Sequence, residues 1–243
     1  MLKPLITLLI LISTMPSAYA ELSLKPFVGY YHTSYDLGLT TLDVEGKRSL
    51  QQQSDGSWVL DFRAKNWFAR LSQTSTFLID DEQQLKPQHY RRYQKVFGKV
   101  KDRSIYFHWD QLKVTNDIDG KPWKMDIPAD ALDLISYQLK LRYDLITHPQ
   151  QKEFHYRVAD GGKVKDLIFR VIGPEVLKTP MGKLNTTKLE SIRHKQRDVQ
   201  HLIWVATDWD NLLLRVEPVR RKDKEKPIFL DRATLDGKEV KGF

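Results

Sequence analysis

Apolar residues in this chain recur at every second position in one segment after another, and at three- and four-residue steps in a single segment. A period of two places alternate side chains on opposite faces of a β-strand, whereas a period near 3.6 stripes one face of a helix. The pattern therefore restricts the chain to a mainly β fold with one main helix. Thr40, Leu42 and Val44 alternate with Thr41, Asp43 and Glu45, and Trp58, Leu60 and Phe62 alternate with Val59, Asp61 and Arg63. The turn signal Ser54-Asp55-Gly56-Ser57 between the two runs predicts an antiparallel hairpin. Further strands are expected over 27–35, 72–79, two within 88–108, and over 112–115, 154–158, 166–172, 175–179, 183–192, 202–207, 212–217 and 228–234. Such spacing fits a sandwich or a barrel-like sheet.

The exceptional segment follows Pro128. Leu132, Ile135, Leu139, Tyr143 and Ile146 repeat at helical spacing, and Leu134, Tyr137, Leu141 and Leu145 widen the stripe. This predicts a well-buried amphipathic helix from Asp130 to Thr147, with Asp130 as N-cap, Asp133 near the positive helix end and His148-Pro149 as the stop. The stretch from Lys121 to Pro128 reads as a loop and is the best place for a seam in what is otherwise one β-rich domain over residues 21–243.

The first twenty residues read as a separate unit. Lys3 precedes an apolar run from Leu5 to Ile12, and Ala18-Tyr19-Ala20 has the small-x-small form of a cleavage site, so residues 1–20 are expected to be a secretory signal peptide. The run is shorter than the about 20 apolar residues that a membrane span needs. The mature chain is expected to start at Glu21 and to work outside the cytoplasm, with no membrane span of its own. The chain has no cysteine, which excludes disulfides, thiolate metal sites, thiol nucleophiles and a lipid-modified N-terminal cysteine. Its net charge is +8. In the cytoplasm that balance would point to nucleic acid; outside it, the available anions are lipid headgroups, lipopolysaccharide phosphates, wall polymers and acidic proteins. No nucleic-acid partner is expected.

Catalytic and metal motifs are missing. Glu190 and His194 fall four apart in an expected strand, which is no helical ligand pair. Asp117-Ile118-Asp119-Gly120 and Asp208-Trp209-Asp210-Asn211 look like calcium loops at their starts, but Pro128 and Val219 stand where the bidentate Glu would be, so both read as turns. There is no Gly-x-Ser-x-Gly elbow and no phosphate loop. No enzyme activity, metal or cofactor is expected. The run Arg220-Arg221-Lys222-Asp223-Lys224-Glu225-Lys226 reads as a solvated hairpin loop.

What remains is an apolar, aromatic interior and a basic strand. Tyr30, Trp58, Phe62, Trp67, Phe77, Tyr93, Phe107, Trp109, Leu139 and Tyr143 are the candidates for lining a concave cavity. In 90–101, strand parity separates Arg91, Tyr93, Lys95 and Phe97 from Tyr90, Arg92, Gln94 and Val96; Arg91, Arg92 and Lys95 are candidate anion contacts.

An ordered set of segments carries a family resemblance. It comprises Asp133-Leu134-Ile135-Ser136 with Leu139, Arg142 and Tyr143, then Phe169-Arg170-Val171-Ile172-Gly173, Thr179-Pro180-Met181-Gly182-Lys183-Leu184-Asn185-Thr186, Leu202-Ile203-Trp204-Val205-Ala206 and Leu214-Arg215-Val216-Glu217. With the opening Tyr30-Tyr31 and Gly38-Leu39, the chain resembles the exported bacterial family DUF3108. The resemblance implies the periplasm of a Gram-negative bacterium. It also implies a large curved antiparallel sheet, half-barrel or sandwich-like, with a helix in its concavity, similar to lipoprotein-carrier folds. The expected function is non-catalytic binding of an apolar or amphiphilic envelope ligand, lipid or lipoprotein-like. The alternatives are a scaffold that holds an envelope protein partner through a basic face or sheet edge, with peripheral membrane contact, and, behind that, a wall or lipid hydrolase.

Overall fold

The computed structural model describes residues 23–36, 41–192, 199–219 and 226–243. The proposed signal peptide, Gly38-Leu39, His194 and Arg220 to Glu225 lie outside them. The first half of the chain forms β1 (Phe27–Asp36), β2 (Thr41–Gln52), β3 (Trp58–Lys65), β4 (Ala69–Ile79), β5 (Leu85–Val96), β6 (Lys99–His108), β7 (Lys113–Ile118) and β8 (Lys121–Asp126). The helix α1 (Ser136–Thr147) follows. The second half forms β9 (Glu153–Ala159), β10 (Val164–Thr179), β11 (Gly182–Ser191), β12 (His201–Ala206), β13 (Leu212–Pro218), β14 (Ile228–Leu235) and the short β15 (Lys238–Glu239).

All of these strands belong to one antiparallel sheet. Its order is two meanders joined at β1 and β14, with β8 and β9 at the outer ends and β15 on β14. There are not two sheets packed face to face, so the curved sheet is the form adopted and the sandwich is not. The turns at the two ends meet. The ring of Trp123 on β8 would lie 3.3 Å from a Cβ at Gly162, in the β9–β10 turn. Leu132 bridges β9 in parallel fashion, accepting from Ala159 N–H and donating to Arg157 carbonyl, each at 2.8 Å. This covers part of an edge that would otherwise offer unpaired backbone groups.

Register explains where the core sits. Leu235, Phe27, Leu50, Leu60, Ser75, Tyr90, Ile105 and Asn116 are successive cross-strand partners from β14 to β7, and all eight are buried. Two residues along, the same inner face carries Gly29, Arg48, Phe62, Gln73, Arg92 and Arg103. The inner wall thus changes from apolar to cationic within one pleat repeat.

Three expectations need correction. The helix begins at Ser136, six residues later than expected, because Asp130 ion-pairs with Arg157 and residues around Leu132 bridge β9 instead. Asp133 does the capping: its Oδ1 accepts the N–H groups of Ile135 and Ser136 at 2.9 Å, while Ser136 Oγ accepts from Asp133 N–H at 2.8 Å, a reciprocal capping arrangement. The helix buries Leu139 and Leu141 of the expected stripe but also the polar Ser136 and Asp144, and it leaves Ile146 half exposed. Asp144 is tolerated there by Tyr156 Oη–H at 2.8 Å and Lys140 Nζ–H at 2.5 Å. The segment read as a seam is β8, an edge strand whose exposed residues show no alternation. Finally, 166–172 and 175–179 are one strand, β10, with a bulge at Val171/Gly173 that Gly173 accommodates at φ +153°.

Candidate functional site

Between α1 and the inner faces of β1–β4 and β10–β14 lies a cleft of about 880 Å³. That volume is within the range of about 300–1,000 Å³ typical of small-molecule sites. Most of its lining is apolar: Phe27, Phe62, Leu141, Phe169, Ile203 and Val216 come from six different elements. Lys163 and Val164, Ile192, Val199 and Ile228 line it at the end of the sheet where β9, β11 and β13 finish. Arg48 and Arg142 line it farther in.

The two arginines set the electrostatics. Arg48 is 8% exposed, and no carboxylate among the described residues forms an ion pair with it. Its partners are phenol rings: Tyr31 and Tyr137 favour its charge, and burial, the larger effect, pushes its pKa down. Arg142 reaches in from the helix. Its Nε–H donates to the Asp210 carbonyl at 3.0 Å, and its guanidinium lies 5.0 Å from the Phe27 ring centroid. Burial lowers its pKa to about 10; Arg48 adds to that shift, while Tyr31 and Asp210 oppose it. The Asp210 carboxylate is engaged by Lys25 at 2.8 Å. Both guanidiniums remain charged at neutral pH. Burial also raises the pKa values of Tyr31 and Tyr137, which stay neutral; Tyr31 Oη–H donates to the Leu213 carbonyl at 3.0 Å, and Tyr137 Oη accepts from Gln138 Nε2–H at 3.4 Å.

Glycine makes room here. A Cβ at Gly46 would lie 2.9 Å from the Phe62 ring, which occupies the space a side chain would take. Arg48, Gly46 and Leu50 share the inner face of β2 by parity.

Of the ten residues considered for lining a cavity, Phe62 lines this cleft. Trp58, Phe77, Phe107 and Leu139 are buried members of the packed core. Trp109 stacks on Phe107 at 5.4 Å and donates to the Pro87 carbonyl at 2.7 Å. Tyr30 is on the outer face beneath Arg232, 4.0 Å from its ring. Tyr93 shares the outer face of β5 with Arg91, and Tyr143 sits on the helix with Lys140 5.9 Å away. Trp67 is exposed in the β3–β4 turn. Of the proposed anion contacts, Arg91 is held by Asp102 through two hydrogen bonds of 3.0 and 2.6 Å, and Lys95 is exposed. Arg92 lies in the inner row with Arg48 and lines a small cavity with Tyr90, Asn116 and Asp160. Both calcium-like segments are turns: Asp119 and Gly120 turn β7 into β8, with Asp119 Oδ1 accepting from Asp102 N–H at 2.9 Å, and Asp210 serves Lys25 and Arg142.

The family model described as "Protein of unknown function (DUF3108)" matches residues 30–222. No curated protein matches the sequence. Among solved structures, a beta-barrel-like protein of the domain of unknown function DUF1849 from Brucella abortus is similar in fold, with a TM-score of 0.56 at 11% identity. The match covers 87% of this chain and 98% of that one. No described helix is long and apolar enough to cross a membrane.

Proposed function

This chain belongs to the DUF3108 family, and from that premise we propose that it is a non-catalytic binding protein of the bacterial envelope whose ligand is an anionic amphiphile held in the interior cleft. One observation carries the reading: Arg48 is buried with no carboxylate partner among the described residues, at the inner end of a cleft whose other walls are mostly apolar. An unpaired buried cation is costly, by several kcal/mol after relaxation. A carboxylate or phosphate headgroup between Arg48 and Arg142 would offset that cost, and the apolar walls would take the chain. Work in the periplasm is part of the proposal and rests on the leader-like residues 1–20.

The test is native mass spectrometry of gently purified protein, before and after incubation with oleate, lysophosphatidylglycerol and an uncharged long-chain alcohol. A one-to-one complex with the anionic probes, much weaker with the alcohol, is expected. An apo mass unchanged by all three probes would overturn the proposal and favour the scaffold reading.

A further inference from the structure

The turns β3–β4 and β5–β6 lie side by side at one end of the sheet and carry an exposed aromatic cluster. Phe68 stacks on Phe97 with centroids 4.8 Å apart, and Trp67 packs edge-on to Phe68 at 4.8 Å. Trp67 is nevertheless 84% exposed, Phe97 70% and Val100 48%. The cluster is built rigidly. Asn66 Oδ1 accepts the N–H groups of Phe68 and Ala69, and Phe97 N–H donates to the Phe68 carbonyl at 3.0 Å, which ties the two turns together. Phe97 adopts φ +45°, a conformation a bulky side chain rarely takes. Folding energy alone does not favour holding an aromatic ring in water on a strained turn.

Within the two turns themselves the charges are of one sign, with Glu45 on β2 standing opposite Lys65 at their flank. Residues 64–71 and 94–101 contain Lys65, Arg70, Lys95, Lys99 and Lys101 and no Asp or Glu. All five are exposed, and among the described residues none is in an ion pair. Strand direction adds a third fact. Every neighbouring pair is antiparallel, including β1 with β14, so β3, β5, β9, β11 and β13 all finish at this end. Lys163, Ile192 and Val199, which line the outer part of the cleft, are there too.

We infer that this end of the sheet docks on an anionic lipid bilayer, with Trp67 and Phe97 seated among the headgroups and the five cations on lipid phosphates. An amphipathic aromatic ring flanked by basic side chains suits the polar–apolar boundary of a membrane. A second copy of the chain would bring the same five cations against themselves. An acidic protein would meet the charges, but would leave a rigid apolar tip to be buried in a matching pocket. Docking here would bring the open end of the cleft to the lipid surface.

Flotation of the full chain with vesicles tests this. Binding to phosphatidylglycerol–phosphatidylethanolamine vesicles is expected at low ionic strength, with weak binding to phosphatidylcholine vesicles. The double substitution Trp67→Ser and Phe97→Ser should lower the floated fraction at least fivefold with an unchanged melting midpoint, since neither side chain is in the core. Replacing the five cations by Gln should lower it as much and remove its salt dependence. Arg48→Met should float like the unmodified protein, which separates failure of the cleft from failure of the surface. Absence of flotation with the anionic vesicles, equal flotation of the Trp67/Phe97 variant, or capture of an acidic protein by this tip without vesicle binding would overturn the inference.

Discussion

Ser75, in the middle of β4, donates a 2.5 Å hydrogen bond to Asp133, just ahead of α1, and both residues are fully buried. Fifty-eight positions separate them in the chain. Because Asp133 also caps α1 through Ile135 and Ser136, this contact ties the start of the helix to the sheet wall. The helix in turn carries Tyr137, Leu141 and Arg142 into the cleft. The position of one wall of the site thus depends on a single buried carboxyl.

Burial raises the pKa of Asp133, and its hydrogen bonds from Ser75, Ile135 and Ser136 act in the opposite direction. A carboxyl with a raised folded-state pKa favours folding while protonated. That contribution is complete below the unfolded pKa, near 3.9, and is lost as pH rises through the folded value. Asp133→Asn keeps the capping oxygen, can donate to Ser75 and cannot ionise. Its stability relative to the unmodified protein is expected to improve between about pH 3 and pH 7, measured by urea unfolding at each pH. A relative stability that declines over that interval would contradict the assignment. Asp133→Ala should cost about 1–3 kcal/mol at both pH values, since it strands buried donors.

Arg48→Met removes a buried charge and keeps most of the side-chain volume. The apo protein should gain on the order of 1 kcal/mol, read as a higher melting midpoint. Binding of anionic amphiphiles should be lost, and binding of an uncharged long-chain alcohol kept. A variant less stable than the parent would mean that Arg48 has a structural partner and is not held for a ligand.

Much of the fold was legible in the chain, and the parts that were not share a cause. Half-buried strands such as β3 announce themselves, because Trp58, Leu60 and Phe62 face the interior and Asp61 and Arg63 do not. β8 has no buried face to alternate with, so Lys121-Pro122-Trp123-Lys124 reads as a loop. The helix start is not legible locally, because the residue that sets it, Asp133, answers to Ser75, which no local pattern includes. Nothing in Glu45-Gly46-Lys47-Arg48 marks Arg48 as inward-facing, because three of the four residues are charged. Its parity with Leu50, two positions on, was the one available signal that it faces inward.

Gly46 has an ordinary backbone conformation, so its lack of a side chain serves space rather than geometry. Gly46→Val would drive the Phe62 ring, 2.9 Å from the new Cβ, across the cleft. A stability loss of about 1–3 kcal/mol is expected from the overpacking. Amphiphile affinity should fall at least about tenfold, equivalent to about 1.4 kcal/mol, in a fluorescent-probe titration. Unchanged affinity in a folded variant would show that the ligand does not pass Phe62.

Trp204 supplies the control, because it belongs to the opposite face of the sheet. Lys188 and Arg215, its direct partners on β11 and β13, each lie 4.8 Å from its ring, and Arg215 also covers Phe229 at 5.1 Å. The indole is 2% exposed although it is on the outer face of the sheet, because these long side chains roof it. Trp204→Ala should therefore cost about 3–5 kcal/mol through lost packing and cation–π contact, while Trp204→Phe should cost distinctly less. Below its lowered melting temperature, the Ala variant should bind the cleft ligand as the parent does. Loss of binding in a variant that is still folded would place the ligand on the outer face and remove the assignment to Arg48 and Arg142.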